Sequence, residues 1–363
     1  MNTHAEINLA AIKNNIGEIR KKLSPAVKFM AVVKANAYGH GAVAVARAAG
    51  EAGADYLGVA NLKEALELRE AGILSPILIL TESPTSVADE IIQHDLTQTI
   101  YSFAEAKALS EEAQKRKCRV KVHVKIDTGM GRVGVAPSEA IAFIAKVSSL
   151  PGLTIEGLFT HFAKAEDPED KFTEEQFSRF KQLADRAPNI PIKHSANSAA
   201  ALFHPSTHLD MVRIGLMMYG LYPLGNSRRL IALEPALSFK TRVVYLKRVP
   251  AGTPLSYGST YLTREATNIA TLPVGYADGF SRRLSNRGHV LIRGKRFPIV
   301  GRVSMDMSLV NVGSANVEVG DEAVLIGRQG GEGLSADEMA NLEETISYEV
   351  VCSIGKRVPR VYK

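Results

Sequence analysis

Lys28–Gly41, KFMAVVKANAYGHG, is the stretch from which the fold follows. Phe29 to Val33 is a short apolar, partly β-branched run, and the Ala, Asn and Gly residues after it end a strand and open a loop. Lys34 therefore stands where a buried strand reaches the surface. In a parallel α/β barrel that is the face on which catalytic groups collect. Position alone would make Lys34 a solvated strand end, but Tyr38 follows four residues later in a glycine-flanked loop.

Outward from this run, strand-like segments alternate with amphipathic ones. Lys28–Val33, Tyr56–Val59, Ile77–Leu80, Thr97–Ile100, Arg119–Ile126, Thr154–Thr160, Ile192–Ser195 and Met211–Ile214 read as strands. Helical patterns lie between them at Asn61–Ala71, Phe103–Lys117, Glu139–Val147 and Glu174–Arg186. Eight strands with intervening helices is the count of a closed (β/α)8 barrel. Before the first of them, Glu6–Leu9 reads as a short strand and Ile12, Ile16 and Ile19 as the apolar stripe of a helix.

Near Leu233 the texture changes. Ala236–Val249, Asn268–Leu272, His289–Ile292, Phe297–Val300, Met307–Val312 and Glu322–Ile326 read as strands joined by Gly-, Pro- and Asn-containing turns, with almost no helix between them. The expected organisation is α/β: a TIM-like barrel over residues 1–234 and a mainly β domain over 235–363, the first residues pairing with the latter. Gly327–Gly333 lacks the lysine of a phosphate loop, so a hairpin leading into a helix capped by Ser335, with Glu338 three residues on, is expected instead.

The chain has 363 residues, 45% hydrophobic and 23% charged, as in ordinary globular proteins. Its net charge is +6, but acids and bases alternate. The short basic runs at Lys115–Lys117, Arg228–Arg229 and Arg282–Arg283 carry no interleaved aromatics, so they read as solvated surface and not as a nucleic-acid site. Cys118 and Cys352 make neither a disulfide framework nor a metal-ligand spacing, and no metal is expected. No basic leader with an apolar core opens the sequence and no stretch is long enough to span a bilayer. A cytoplasmic protein without membrane partners is expected.

The segment AVVKANAYGHG resembles the cofactor-lysine signature of the alanine racemases, which use pyridoxal 5′-phosphate, and further similar motifs run from AEINL to RVPRVY. The resemblance implies the barrel and β domain above. It assigns Lys34 as the Schiff-base lysine and one catalytic base, and Tyr257, in LSYGSTY, as the second base, reached from the other subunit of a homodimer. A planar intermediate needs a proton carrier on each face if it is to racemise. The resemblance further implies Tyr38, Ser198 in HSANSAA, Gly215, Leu216 and Tyr348 as cofactor-binding residues. Arg213 would face the pyridine nitrogen, with His161 between it and the tyrosine base. An arginine cannot accept a proton there, which suits racemisation over transamination. Arg132 and Met305 are implied as substrate-binding, and Lys125, Tyr276 and Asp306 as supporting residues, with Lys125 carbamylated to hold Arg132.

The implied reaction is interconversion of L- and D-alanine, supplying D-alanine for peptidoglycan. A racemase of serine or lysine is the alternative that pocket width would decide. A barrel decarboxylase would place an acid at the pyridine nitrogen. A non-catalytic cofactor carrier would lack the second domain, and an aldolase using Lys34 would leave Tyr257, Ser198 and Arg213 without a purpose.

Overall fold

The computed structural model describes residues 2–223 and 230–363. The basic pair Arg228–Arg229 lies outside the described residues. The chain divides into two compact units: Ile12–Ala37 with Ala42–Glu234, and the chain through Ala11 with Tyr38–Gly41 and Pro235–Lys363.

The first unit is a barrel of eight parallel strands: β2 (Lys28–Val32), β3 (Tyr56–Val59), β4 (Ile77–Ile79), β5 (Thr97–Ile100), β6 (Val120–Lys125), β7 (Leu153–Phe159), β8 (Ile192–His194) and β9 (Met211–Ile214). A strand preceding them, β1, spans His4–Ile7 and belongs to the other unit. The eight ladder in the order β8-β7-β6-β5-β4-β3-β2-β9. All eight runs read from the sequence are strands; most are short, apolar or β-branched segments largely buried in the barrel and punctuated by turns, while Lys121 in β6 is exposed and Leu153–Glu156 in β7 are half-buried. The barrel is nearly closed rather than fully laddered. Between β8 and β9 the backbone bonds are Asp210 N–H to Lys193 O, 3.0 Å, and Arg213 N–H to Ala196 O, 3.0 Å, while the Asp210 carboxylate accepts from Lys193 N–H at 2.7 Å. The four expected helices are present, at Leu62–Glu70, Phe103–Arg116, Ala140–Ser148 and Phe172–Asp185. Asn61 and Ser102 cap the first two by accepting from Glu64 N–H and Glu105 N–H.

The second unit is mainly β. Its strands are β1, β10 (Leu237–Arg242), β11 (Tyr245–Val249), β12 (Pro254–Leu255), β13 (Tyr261–Leu262), β14 (Thr267–Leu272), β15 (His289–Ile292), β16 (Lys295–Pro298), β17 (Ser308–Gly313), β18 (Glu322–Gln329), β19 (Glu332–Leu334) and β20 (Arg360–Tyr362). One sheet has the order β16-β15-β18-β10-β1-β20, with β19 on β18, and a second the order β11-β14-β17. The amino-terminal strand thus pairs antiparallel with β10 and parallel with β20. The single strand expected over Ala236–Val249 is two strands. Val243 N–H bonds to Asp321 O and Val244 N–H to Thr271 O, so the chain leaves one sheet and joins the other between these valines. β18 and β19 form the expected hairpin, and Ser335 Oγ accepts from Glu338 N–H at 3.0 Å to start the helix Ala336–Glu343.

Candidate active site

The carboxyl ends of parallel strands open on one face of a barrel. Lys34 lies two residues beyond β2, Lys125 is the last residue of β6, His161 follows β7 by two residues, and Gly215 directly follows β9. Ser198 opens the helix Ser198–Phe203 that comes after β8. Five of the residues singled out in the sequence are therefore brought to one mouth by topology alone.

The backbone past β2 is not an ordinary loop. Ala35, Asn36, Ala37 and Tyr38 have φ between 52° and 53°, a left-handed turn built from residues with side chains. Such a turn costs roughly 1–2 kcal/mol per residue, so neighbouring bonds must hold it. Ala35 N–H donates to Glu64 Oε1 at 2.8 Å, Ala60 N–H donates to the other oxygen of that carboxylate at 2.7 Å, and Asn36 Oδ1 accepts from Ala42 N–H at 2.9 Å. Strain of this kind concentrates where a side chain must be aimed, and here it follows directly on Lys34.

Arg213 is buried and its donors are mostly assigned. Nη2 reaches Thr160 O at 2.7 Å, Ser195 O at 2.9 Å and His161 Nδ1 at 3.3 Å, while Nη1 reaches His194 Nδ1 at 2.9 Å. Nε–H donates to none of the described residues. Burial draws the guanidinium down to about 9. Since arginine only donates, His161 Nδ1 is an acceptor and its proton sits on Nε2. Burial, then the charges of Arg213, Arg132, Lys125 and Lys34, hold His161 well below the usual histidine range, so it is neutral at neutral pH.

Lys125 is buried with its ammonium over the Phe159 ring. Burial first, then Arg132 and Arg213, lower it to about 8. Arg132 is exposed, in a loop where Asp127 Oδ1 accepts from Gly129 and Gly131 N–H, both at 3.0 Å. Lys34, Lys125, Arg132 and Arg213 thus bring four cationic groups to one mouth, with Asp127 the carboxylate that acts against them on Lys125. The counter-charge that fits is an anionic ligand. Ser198 is not the helix cap: Asn197 Oδ1 takes that part, accepting from Ala200 N–H at 2.9 Å, and Ser198 Oγ instead accepts from Gly215 N–H at 3.0 Å. Ser198 and the turn Gly215–Leu216 are thereby joined.

In the β unit, Tyr38 is buried and its ring lies 6.0 Å from that of Tyr348, in the helix Ser347–Ser353. Burial, then the neighbouring Tyr348 and Cys352, push the Tyr38 phenol up, so it remains a donor. Tyr276 and Met305 are knit together: Tyr276 N–H bonds to Ser304 O and Ala277 N–H to Met305 O. Gly275 permits this approach, since a Cβ there would overlap both carbonyl oxygens. Asp306 is tied by Arg357, which also bonds Asp278. Tyr257 is 72% exposed. Ser256 before it has φ 62° and ψ −177°, a region nearly reserved for glycine, and is pinned by its hydroxyl on Arg302 O at 2.6 Å. Tyr276 and Met305 are exposed as well.

His194 was not among the residues singled out. It begins the segment HSANSAA, and its bond to Arg213 and its stacking on Phe159, 4.7 Å between ring centroids, place it beside the site.

Residues 7–223 match the family model for the alanine racemase N-terminal domain, and residues 236–362 that for the C-terminal domain. The chain is 49% identical to an alanine racemase of Halothermothrix orenii, over 99% of this chain and 97% of that one. It is 47% identical to alanine racemase 2 of Caldanaerobacter subterraneus, over 99% and 94%. Among solved structures it is similar to the alanine racemase of Clostridium difficile 630, with TM-score 0.95 and 40% identity, covering 100% of this chain and 96% of that one. It is also similar to the Bacillus anthracis alanine racemase with bound L-Ala-P, with TM-score 0.94 and 40% identity, covering 100% and 95%.

Proposed function

The chain belongs to the alanine racemase family and interconverts L- and D-alanine, and from that membership we propose that it does so as a homodimer, with pyridoxal 5′-phosphate and one proton carrier on each face of the substrate. The observation that carries this reading is the cationic barrel mouth around Lys34. Its donor set fits a dianionic phosphate and a substrate carboxylate. Lys34 would hold the cofactor covalently, while Tyr38, Ser198, Gly215, Leu216 and Tyr348 would hold its phosphate. Arg213 would turn its unassigned Nε–H to the ring nitrogen. When bound, the cofactor withdraws electrons from the substrate Cα and acidifies its proton.

Lys34 Nζ takes or returns the Cα proton on one face, and the Oη of the partner's Tyr257 does so on the other. Arg213 fixes the ring of His161 through Nδ1, leaving Nε2–H to donate to the Tyr257 oxygen and favour its ionised form. Arg132 orients the substrate carboxylate. Lys125, held partly neutral at neutral pH, is suited to add carbon dioxide at Nζ with loss of a proton, and the resulting carbamate would be the anion that holds Arg132. Met305, Tyr276 and Asp306 of the partner subunit would bound the substrate end. The exposure of Tyr257, Tyr276, Met305 and Met307 supports the homodimer, because their apolar surface needs cover. The product would supply cell-wall synthesis in the cytoplasm. Among the described residues, no helix is long and apolar enough to cross a membrane.

Incubation with L-alanine and cofactor in deuterated water tests the reading. D-alanine carrying deuterium at Cα is expected. Exchange without inversion would sink the second proton carrier, and inversion of serine or lysine faster than alanine would transfer the reading to those substrates.

A further inference from the structure

The hydrogen bonds of Arg213 do not stop at His194. His194 Nε2 lies 2.9 Å from His123 Nδ1, and His123 Nε2 lies 3.3 Å from Glu156 Oε2. Both imidazoles are fully buried, inside the barrel. The direction of every proton in this chain is forced. Arg213 can only donate, so His194 Nδ1 accepts and its proton is on Nε2. That proton goes to His123 Nδ1, which places the His123 proton on Nε2, facing the carboxylate. At the far end Glu156 also accepts from Tyr56 Oη at 2.6 Å and pairs with Lys121 at 3.2 Å.

The fold makes room for this chain. β6 and β7 pair Val122 with Ile155 and His123 with Gly157, so Glu156 is the extra residue of a β-bulge. Gly157, opposite His123, leaves space for its ring, since a Cβ there would overlap it. A bulge re-aims a side chain, and this one turns Glu156 toward His123. Burial would raise the Glu156 carboxyl, but hydrogen bonds from His123 and Tyr56 hold it down at about 2. Burial keeps both imidazoles below the usual histidine range. The charges at the two ends, Arg213 and Glu156, are thus linked through two neutral rings.

We propose that Glu156 is a positioning residue for racemisation: through His123 and His194 it fixes the acceptor that Arg213 Nη1 grips, and so the direction in which the guanidinium presents Nε–H. This rests on the reading that Arg213 faces the cofactor ring nitrogen. A carboxylate at the end of a histidine chain fixes tautomer and orientation, and loss of such outer partners elsewhere lowers activity about tenfold or more.

The test uses the holoenzyme, loaded with isotope-labelled histidine and with cofactor labelled at its ring nitrogen. Nitrogen NMR of the unaltered protein should show His123 and His194 neutral with the proton on Nε2. A charged ring or an Nδ1 proton on either overturns the proposal without any variant. Glu156→Leu should disturb both tautomers, move the ring-nitrogen signal and lower kcat about tenfold, with KM for alanine within about twofold. Glu156→Gln, which keeps an acceptor oxygen, should recover most of this, and it is the variant to read if the leucine form does not fold. Unchanged ring-nitrogen signal and kcat in both variants overturn the proposal. Arg213→Lys separates the two readings: if it moves the ring-nitrogen signal and the Glu156 variants do not, Arg213 stands and Glu156 falls. If Arg213→Lys leaves that signal unmoved, the reading of Arg213 fails first and takes this proposal with it.

Discussion

Lys125 shows how one side chain records the electrostatics of the whole mouth. Its amine is lowered from 10.5 to about 8 by burial and by Arg132 and Arg213. Between those two values the folded protein binds fewer protons than the unfolded chain, so stability rises with pH across the window and the cost of charging Lys125 is full below it. The difference amounts to roughly 3 kcal/mol for this group. In buffer free of carbon dioxide, Lys125→Met is expected to raise the melting temperature at neutral pH and to remove part of the rise between pH 8 and 10.5. A melting curve whose pH dependence matches the unaltered protein would refute this. At Lys34 and Tyr257 the expectation is functional. Lys34→Ala should lose covalently held cofactor and racemisation together, seen in the absorbance spectrum and in turnover. Tyr257→Phe should keep the cofactor and lose activity on the order of a thousandfold.

At the scale of an element, the left-handed turn after β2 reverses the usual ranking of alanine over glycine. Ala35, exposed at φ 53°, is a position where glycine relieves backbone strain. Ala35→Gly should leave the melting temperature unchanged or raise it, whereas Ala48→Gly, buried in the helix Ala42–Glu51, should lower stability by about 1 kcal/mol. Equal losses at both would mean that the turn carries no strain. The segment around Gly275 behaves oppositely. Gly275→Ala has no space against the Ser304 and Met305 carbonyls, so it should separate the Tyr276 and Met305 segments and cost on the order of 2–3 kcal/mol in chemical unfolding.

At the scale of the whole molecule, the proposed shared site makes a prediction that no monomer can satisfy. Lys34→Ala and Tyr257→Phe subunits should each be nearly inactive alone. Mixed and allowed to exchange, half the dimers are hybrids, and each hybrid has one site with both groups intact. Recovery of about a quarter of the unaltered activity is expected. No recovery, with exchange shown by mass, would mean that Tyr257 serves its own chain or no site at all.

The barrel was legible in the sequence because most of its strands are short runs rich in apolar or β-branched residues between turn signals, a local pattern that needs no partner to be recognised. The same locality exposed Lys34 at a strand end, the Ser335 cap and the hairpin before it. Alternation in the β unit located its strands but not the exchange of sheets at Val243 and Val244, since both halves of that run look alike to a local reading. The left-handed turn was hidden because Ala35 and Ala37 do not advertise a positive φ. The proposed roles of Lys34, Arg213 and Tyr257 entered through resemblance to a family, not through spacing. The sequence by itself determined which segments are strands, which residues end them, and so which side chains reach the mouth of the barrel. Only the tertiary structure decided which groups share hydrogen bonds. His123 and His194 are 71 residues apart and Glu156 is 33 from His123, and pairing across such distances depends on strand register and one bulge, which arise only when the strands are laid side by side.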